Sequence, residues 1–193
     1  MLHDSLKVRI FFRGDFGMAS TAKFIRDYLP PKDHLAAIGA VAVVWTALES
    51  SMEITLLGLY EIDLGRGLVI SANLSFHARL SLLRILTGEK VHMTGEQAKE
   101  MSEILSRLDT GYGDRNTVVH GLWTKTGKPG IIERMSIRAR GKKLQTLRQD
   151  YSAADIWAVA DRLAVLLSEF VALGDRLGLK ERLAMVPKHS GAL

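Results

Sequence analysis

The sequence predicts a mainly α-helical protein, an antiparallel helical bundle with a small antiparallel β insertion before its last helix. Three observations carry that prediction. Apolar residues recur at three- and four-residue steps over several long stretches, the pattern of helices with one buried face. Between about residues 121 and 150 the period falls to two, with Gly- and Pro-containing turns on either side of the alternating run. A helical period then returns over residues 152–177. With 193 residues, 47% of them hydrophobic and 24% charged, the chain is most simply one domain able to bury a real core.

Residues 1–32 read as an arm that packs on the domain or on a partner subunit, since Phe11, Phe12, Phe16, Phe24 and Tyr28 are too many aromatics for a disordered tail. The helical domain is expected over 33–178. Its first helix runs from about Asp33 to Tyr60, with Ile38, Val41, Trp45, Leu48, Met52 and Leu59 as the core stripe. A loop over 61–67 follows. A second helix fits Ala72 to Leu86, with Leu74, Leu82, Leu83, Ile85 and Leu86 facing the core and His77, Arg79 and Arg84 on a solvated face. Thr94 and Gln97 have capping-box spacing and start the third helix. Gly111 and Gly113 interrupt that helix, and a kink or break is expected there, because each glycine weakens a helix by roughly 1 kcal/mol.

In the β insertion, Ile131, Met135, Ile137 and Ala139 alternate with Arg134, Ser136, Arg138 and Arg140 as a half-buried strand. Ser152 and Asp155 cap the last long helix, whose stripe runs from Ile156 to Leu177 and stops at Gly178. Residues 179–193 read as a frayed tail.

Composition narrows the chemistry. The chain has no cysteine, which excludes disulfides, thiolate zinc sites and thiol nucleophiles. Its six histidines show no paired ligand spacing, so no metal and no cofactor is expected. The formal charge of +5 leans towards an anionic partner. The start lacks a signal-peptide pattern, and the longest apolar run, Leu35 to Leu48, is shorter than the roughly twenty residues of a membrane span. A cytoplasmic protein without a membrane partner is expected.

The stretch that concentrates chemistry is Asp114-Arg115-Asn116-Thr117-Val118-Val119-His120-Gly121-Leu122-Trp123. It supplies a guanidinium, an amide and an imidazole. Asn116 and His120 share a helix face at i and i+4, while Arg115 lies about 140° round from His120. Its side chain must therefore reach round, or a second copy of the helix must complete the site. A helix end whose His caps carbonyls is the plain structural reading of the same residues.

The pattern Arg-Asn-x-x-x-His-Gly-x-Trp resembles the Arg-x4-His signature of the HEPN superfamily, small all-helical dimers of which many are metal-independent endoribonucleases in toxin, phage-defence or RNA-processing systems. The resemblance implies catalytic roles for Arg115, Asn116 and His120, a homodimer, RNA as substrate, and an antitoxin or defence-system protein as partner. The toxin subgroup paired with a nucleotidyltransferase often has Tyr two residues beyond the His, where this chain has Leu122. The two glycines in the motif helix are a further departure from the family.

Two supporting features stay open between readings. Glu49, set among Leu48, Met52 and Leu56, either orients Arg115 or His120 or belongs to a solvated face. From Lys125 to Arg148 eight basic residues stand against Glu133 alone. Arg138, Arg140, Lys142 and Lys143 then either guide RNA phosphates or protect exposed strand edges. The expected function is cleavage of single-stranded RNA by attack of its own 2′-hydroxyl, with two imidazoles brought together at a two-fold interface. The alternatives are a non-catalytic HEPN-like module that binds RNA, a nucleotide or a protein partner, and an unrelated helical scaffold.

Overall fold

Six helices pack as a bundle, and a three-stranded antiparallel sheet is inserted before the last long helix. The structure is a computed structural model that describes residues 29–140 and 143–186, with the side chains of residues 138–140, 143 and 144 excepted. The arm expected over 1–32, apart from its last residues, and the end of the tail lie outside that description.

Helix α1 spans Lys32–Tyr60, and its stripe of Ala37, Val41, Trp45, Leu48 and Met52 is at most 1% exposed. By length and composition α1 could cross a membrane, but in this fold the stripe forms the centre of the bundle. Glu61 ends it in the left-handed region, with φ 52°. The loop expected over 61–67 is shorter than that. Asp63 accepts a hydrogen bond from the Arg66 amide and starts a short helix, α2, over Leu64–Ser71.

Helix α3 covers Phe76–Gly88. It begins four residues later than its apolar pattern suggested, because Ser75 accepts from the Ala78 amide and fixes the start. Leu83 and Leu86 are buried as expected, whereas Ile85 is 59% exposed. Phe76 and Leu80 take the core positions instead.

Helix α4, Gly95–Val119, opens with both bonds of the Thr94–Gln97 capping box and runs unbroken through the two glycines. The helix is not broken there, and packing supplies a reason for glycine at one of the two positions. At Gly111 a Cβ would stand 2.8 Å from Leu163 Cδ2 and 3.6 Å from Trp45, so the missing side chain lets α4 lie close on its neighbours.

The sheet runs β1 Leu122–Lys125, β2 Ile131–Arg140 and β3 Lys143–Ser152, in that spatial order. Its register pairs Trp123 with Arg134, Ile132 with Tyr151 and Arg140 with Lys143. The face meeting the body differs by one residue from the expected set. Ile132 is fully buried, while Ile137 is 63% exposed and residues 145–150 are all exposed. Among the described side chains, Ile132 near the base of the hairpin is covered by the body, while Ile137 has no core to face.

Helix α5, Ala153–Arg176, starts with the reciprocal Ser152–Asp155 capping box. Ion pairs Glu100–Arg176 (2.5 Å), Arg107–Glu169 and Asp114–Arg162 (3.2 Å) lace α4 to α5 and show that the two run antiparallel. All three are exposed, so they set register more than stability. After Gly178, at φ 64°, the chain forms α6 over Leu179–Met185 where a frayed tail was expected. Leu179 is 3% exposed and packs against Gly58 of α1 and Gly174 of α5, which holds the helix down.

Candidate active site

The motif falls on the last turn of α4 and its exit. Asn116 is one turn before His120, and the His120 amide donates to the Asn116 carbonyl at 3.1 Å as the helix closes. Arg115, on another side of the helix, does reach round. Its Nη1 donates to Asn116 Oδ1 at 2.9 Å and lies 2.7 Å from His120 Nε2. One chain therefore brings together all three residues that the sequence singled out.

That contact fixes the imidazole. A guanidinium has only donors, so His120 Nε2 must accept and the ring proton must sit on Nδ1. His120 is exposed, whereas Arg115 and Asn116 are partly buried. Both protons of Arg115 Nη1 are used in these contacts. Nη2 makes no hydrogen bond among the described residues, and Nε is shielded from solvent without a partner. The arrangement is a cationic cradle with one guanidinium nitrogen left for an anion.

The exit residues hold the geometry. Trp123 Nε1 donates to the Val118 carbonyl at 2.9 Å, satisfying an orphan acceptor at the helix end. Its ring folds back over Gly121, where a Cβ would lie 2.7 Å from the Thr117 carbonyl and 3.1 Å from the indole. The Trp123 ring then meets Tyr151 edge-on at 5.2 Å, tying helix end to sheet. Gly121 and Trp123 thus set the direction in which His120 leaves α4.

Tyr112, Asn116 and His120 form an i, i+4, i+8 row about 12 Å long on α4. Tyr112 stacks on Phe76, with centroids 4.4 Å apart and planes 3° from parallel, and the exposed His77 ring stands edge-on to it at 4.8 Å. The row spacing was visible in the sequence. The approach of His77 was not, because it depends on how α3 crosses α4.

Glu49 is not brought to the motif. Trp45 lies beside Gly111 and Tyr112, and α1 runs against the direction of α4, so Glu49 stands one turn further from Arg115. Among the described residues Glu49 has no hydrogen-bond or ion-pair partner. The neighbouring Glu53 is hydrogen-bonded by the Ser71 hydroxyl.

The basic insertion is less free than its composition suggests. Arg148 pairs with Glu133 at 3.0 Å and Lys128 with Asp150 at 2.5 Å. The latter contact, a hydrogen bond and then plain attraction, raises the Lys128 pKa above the usual lysine value. Arg138 and Arg140 lie on β2 and Lys143 on β3, but their side chains and the whole of Lys142 lie outside the described residues. Among the described residues no group of three His, Asp or Glu side chains converges as a metal site. A groove of about 420 Å³ between α4 and α5 passes Gly111, Asp114 and Arg162, on a side of α4 other than the Tyr112–His120 row.

The architecture defines a helical bundle with the Arg115–His120 segment at the exit from helix to sheet. Comparison of the chain with protein-family models, curated proteins and solved structures returns no match.

Proposed function

We propose that the chain is a metal-independent endoribonuclease that cleaves single-stranded RNA through the 2′-hydroxyl next to the scissile phosphate. The observation that carries this reading is the 2.7 Å contact between Arg115 and His120 Nε2, with Asn116 on the same guanidinium. The resemblance to HEPN proteins supports it.

Each residue then has one task. A phosphate entering the cradle gives Arg115 a charged acceptor in place of a neutral imidazole, and charge-assisted bonds are the stronger ones. Once Arg115 turns to the phosphate oxygens, His120 Nε2 is free to take the proton of the 2′-hydroxyl. The oxygen attacks phosphorus, the P–O5′ bond breaks, and a 2′,3′-cyclic phosphate and a 5′-hydroxyl result. Arg115 stabilises the charge that builds on the non-bridging oxygens. Asn116 keeps the guanidinium in register. The leaving 5′ oxygen also needs a proton, and His120 of a second copy, in its doubly protonated imidazolium form, supplies it at a two-fold interface.

A second reading draws on the same contact. With the His120 lone pair already engaged, the cradle also suits a module that binds RNA or a nucleotide without cutting it. Incubation with single-stranded RNA in excess EDTA separates the two. The enzyme reading expects cleavage by the parent and none by His120→Ala. Binding with intact RNA in both proteins would establish the module instead.

A further inference from the structure

We propose that Arg134 is a second phosphate-binding residue of this site, holding a neighbouring phosphate of the strand gripped by Arg115. The inference rests on the nucleic-acid reading above and adds a residue that the motif does not contain.

Most arginines with described side chains have a carboxylate partner, from Arg66 with Asp63 to Arg182 with Glu61. Three do not. Arg79 donates to the Ser71 carbonyl, Arg115 holds Asn116 and His120, and Arg134 has no hydrogen-bond or ion-pair partner among the described residues. Arg134 is partly buried, and its Nε is shielded from solvent without a partner. A guanidinium stays charged at any working pH, so taking it partly out of water without a counter-charge costs stability. An anionic ligand offsets that cost.

Placement points to the same ligand. Arg134 is the cross-strand partner of Trp123, whose indole reaches back to the Val118 carbonyl beside His120. Side chains alternate along a strand, so Arg134 shares the face of Ile132, which is fully buried against the body. Glu133 and its strand partner Asp150 occupy the opposite face, held by Arg148 and Lys128. Among the described side chains, the paired carboxylates of the sheet therefore lie on the other face, and Arg134 has no counter-charge on the face of Ile132. A second guanidinium without a counter-charge, one strand across from Trp123, suits a ligand with successive phosphates rather than a single anion.

The test uses a fluorescein-labelled 2′-O-methyl oligoribonucleotide, which binds but cannot be cut, with the full-length protein. Arg134→Met is expected to weaken binding about tenfold at low salt and to lower the slope of log Kd against log salt by roughly 0.7, the loss of one phosphate contact on a single strand. Its thermal midpoint without RNA is expected to equal or exceed that of the parent, because an unpaired charge gives way to an apolar group of similar length. Arg134→Lys keeps the charge and is expected to retain most of the slope. An unchanged Kd and slope in Arg134→Met, or a lowered midpoint in both variants with binding intact, would overturn the proposal and leave the ribonuclease reading standing. A parent protein that binds no oligonucleotide at low salt would overturn both.

Discussion

Replacing each of the two motif-helix glycines by alanine separates backbone propensity from packing within one helix. Gly111 and Gly113 both sit inside α4, so both substitutions gain about 1 kcal/mol of helix propensity. At Gly113 a new Cβ meets nothing within 4 Å, and the full gain is kept. For a chain of this length that corresponds to a rise in Tm of about 2–4 °C. At Gly111 the Cβ would stand 2.8 Å from Leu163 Cδ2, and Leu163 is only 3% exposed. Overpacking a filled core costs about 1–3 kcal/mol, which cancels the gain or exceeds it. Gly113→Ala should therefore be the more stable variant by about 1–3 kcal/mol in urea unfolding followed by circular dichroism. Equal stability of the two, or a destabilised Gly113→Ala, would refute the close-approach argument for α4 and α5.

Three further outcomes follow from the site and its supports. Trp123→Phe removes the bond to the Val118 carbonyl and should cost about 1 kcal/mol, read by urea unfolding. In the parent at pH 8, nitrogen-15 NMR should find His120 as the Nδ1–H tautomer, and Arg115→Ala should release Nε2 and shift the population to Nε2–H. Ser152→Ala should cost about 1 kcal/mol through loss of the α5 cap. Hydrogen bonds from the Ser152 side chain and then its backbone hold the Asp155 pKa below the usual carboxylate value. The folded state therefore gains from Asp155 ionisation above the unfolded pKa, and this gain is lost as pH falls through the lower folded value. An acid titration of stability should accordingly show a shallower loss in Ser152→Ala than in the parent.

Much of the fold was legible because its signals are local. The capping boxes at Thr94 and Ser152, the stop at Gly178 and the stripe from Val41 to Met52 each need only neighbours along the chain. The motif itself was legible for the same reason, and its long arginine does reach round the helix. What the sequence hid depends on partners far apart in it. Gly111 read as a helix breaker because Leu163 and Trp45 were not yet beside it. The strand face of β2 was misplaced by one residue, since among its described side chains Ile132 reaches the core while Ile137 projects from the body. Glu49 stood open between a support for the motif and a solvated face, because the direction of α1 against α4 depends on packing and not on neighbours along the chain. Arg134 stood among seven other basic residues in its stretch, and the carboxylate partners of Lys128 and Arg148 depend on strand pairing that the sequence does not display.

The most direct test of the central claim is an oligodeoxynucleotide that carries a single ribonucleotide, incubated with the protein in excess EDTA. The only 2′-hydroxyl then marks the one bond that can be cut. The account predicts cleavage immediately 3′ of that ribonucleotide, leaving a 2′,3′-cyclic phosphate and a 5′-hydroxyl, with His120→Ala inactive. Cleavage at the deoxynucleotide positions, 3′-hydroxyl ends, or an active His120→Ala would contradict it.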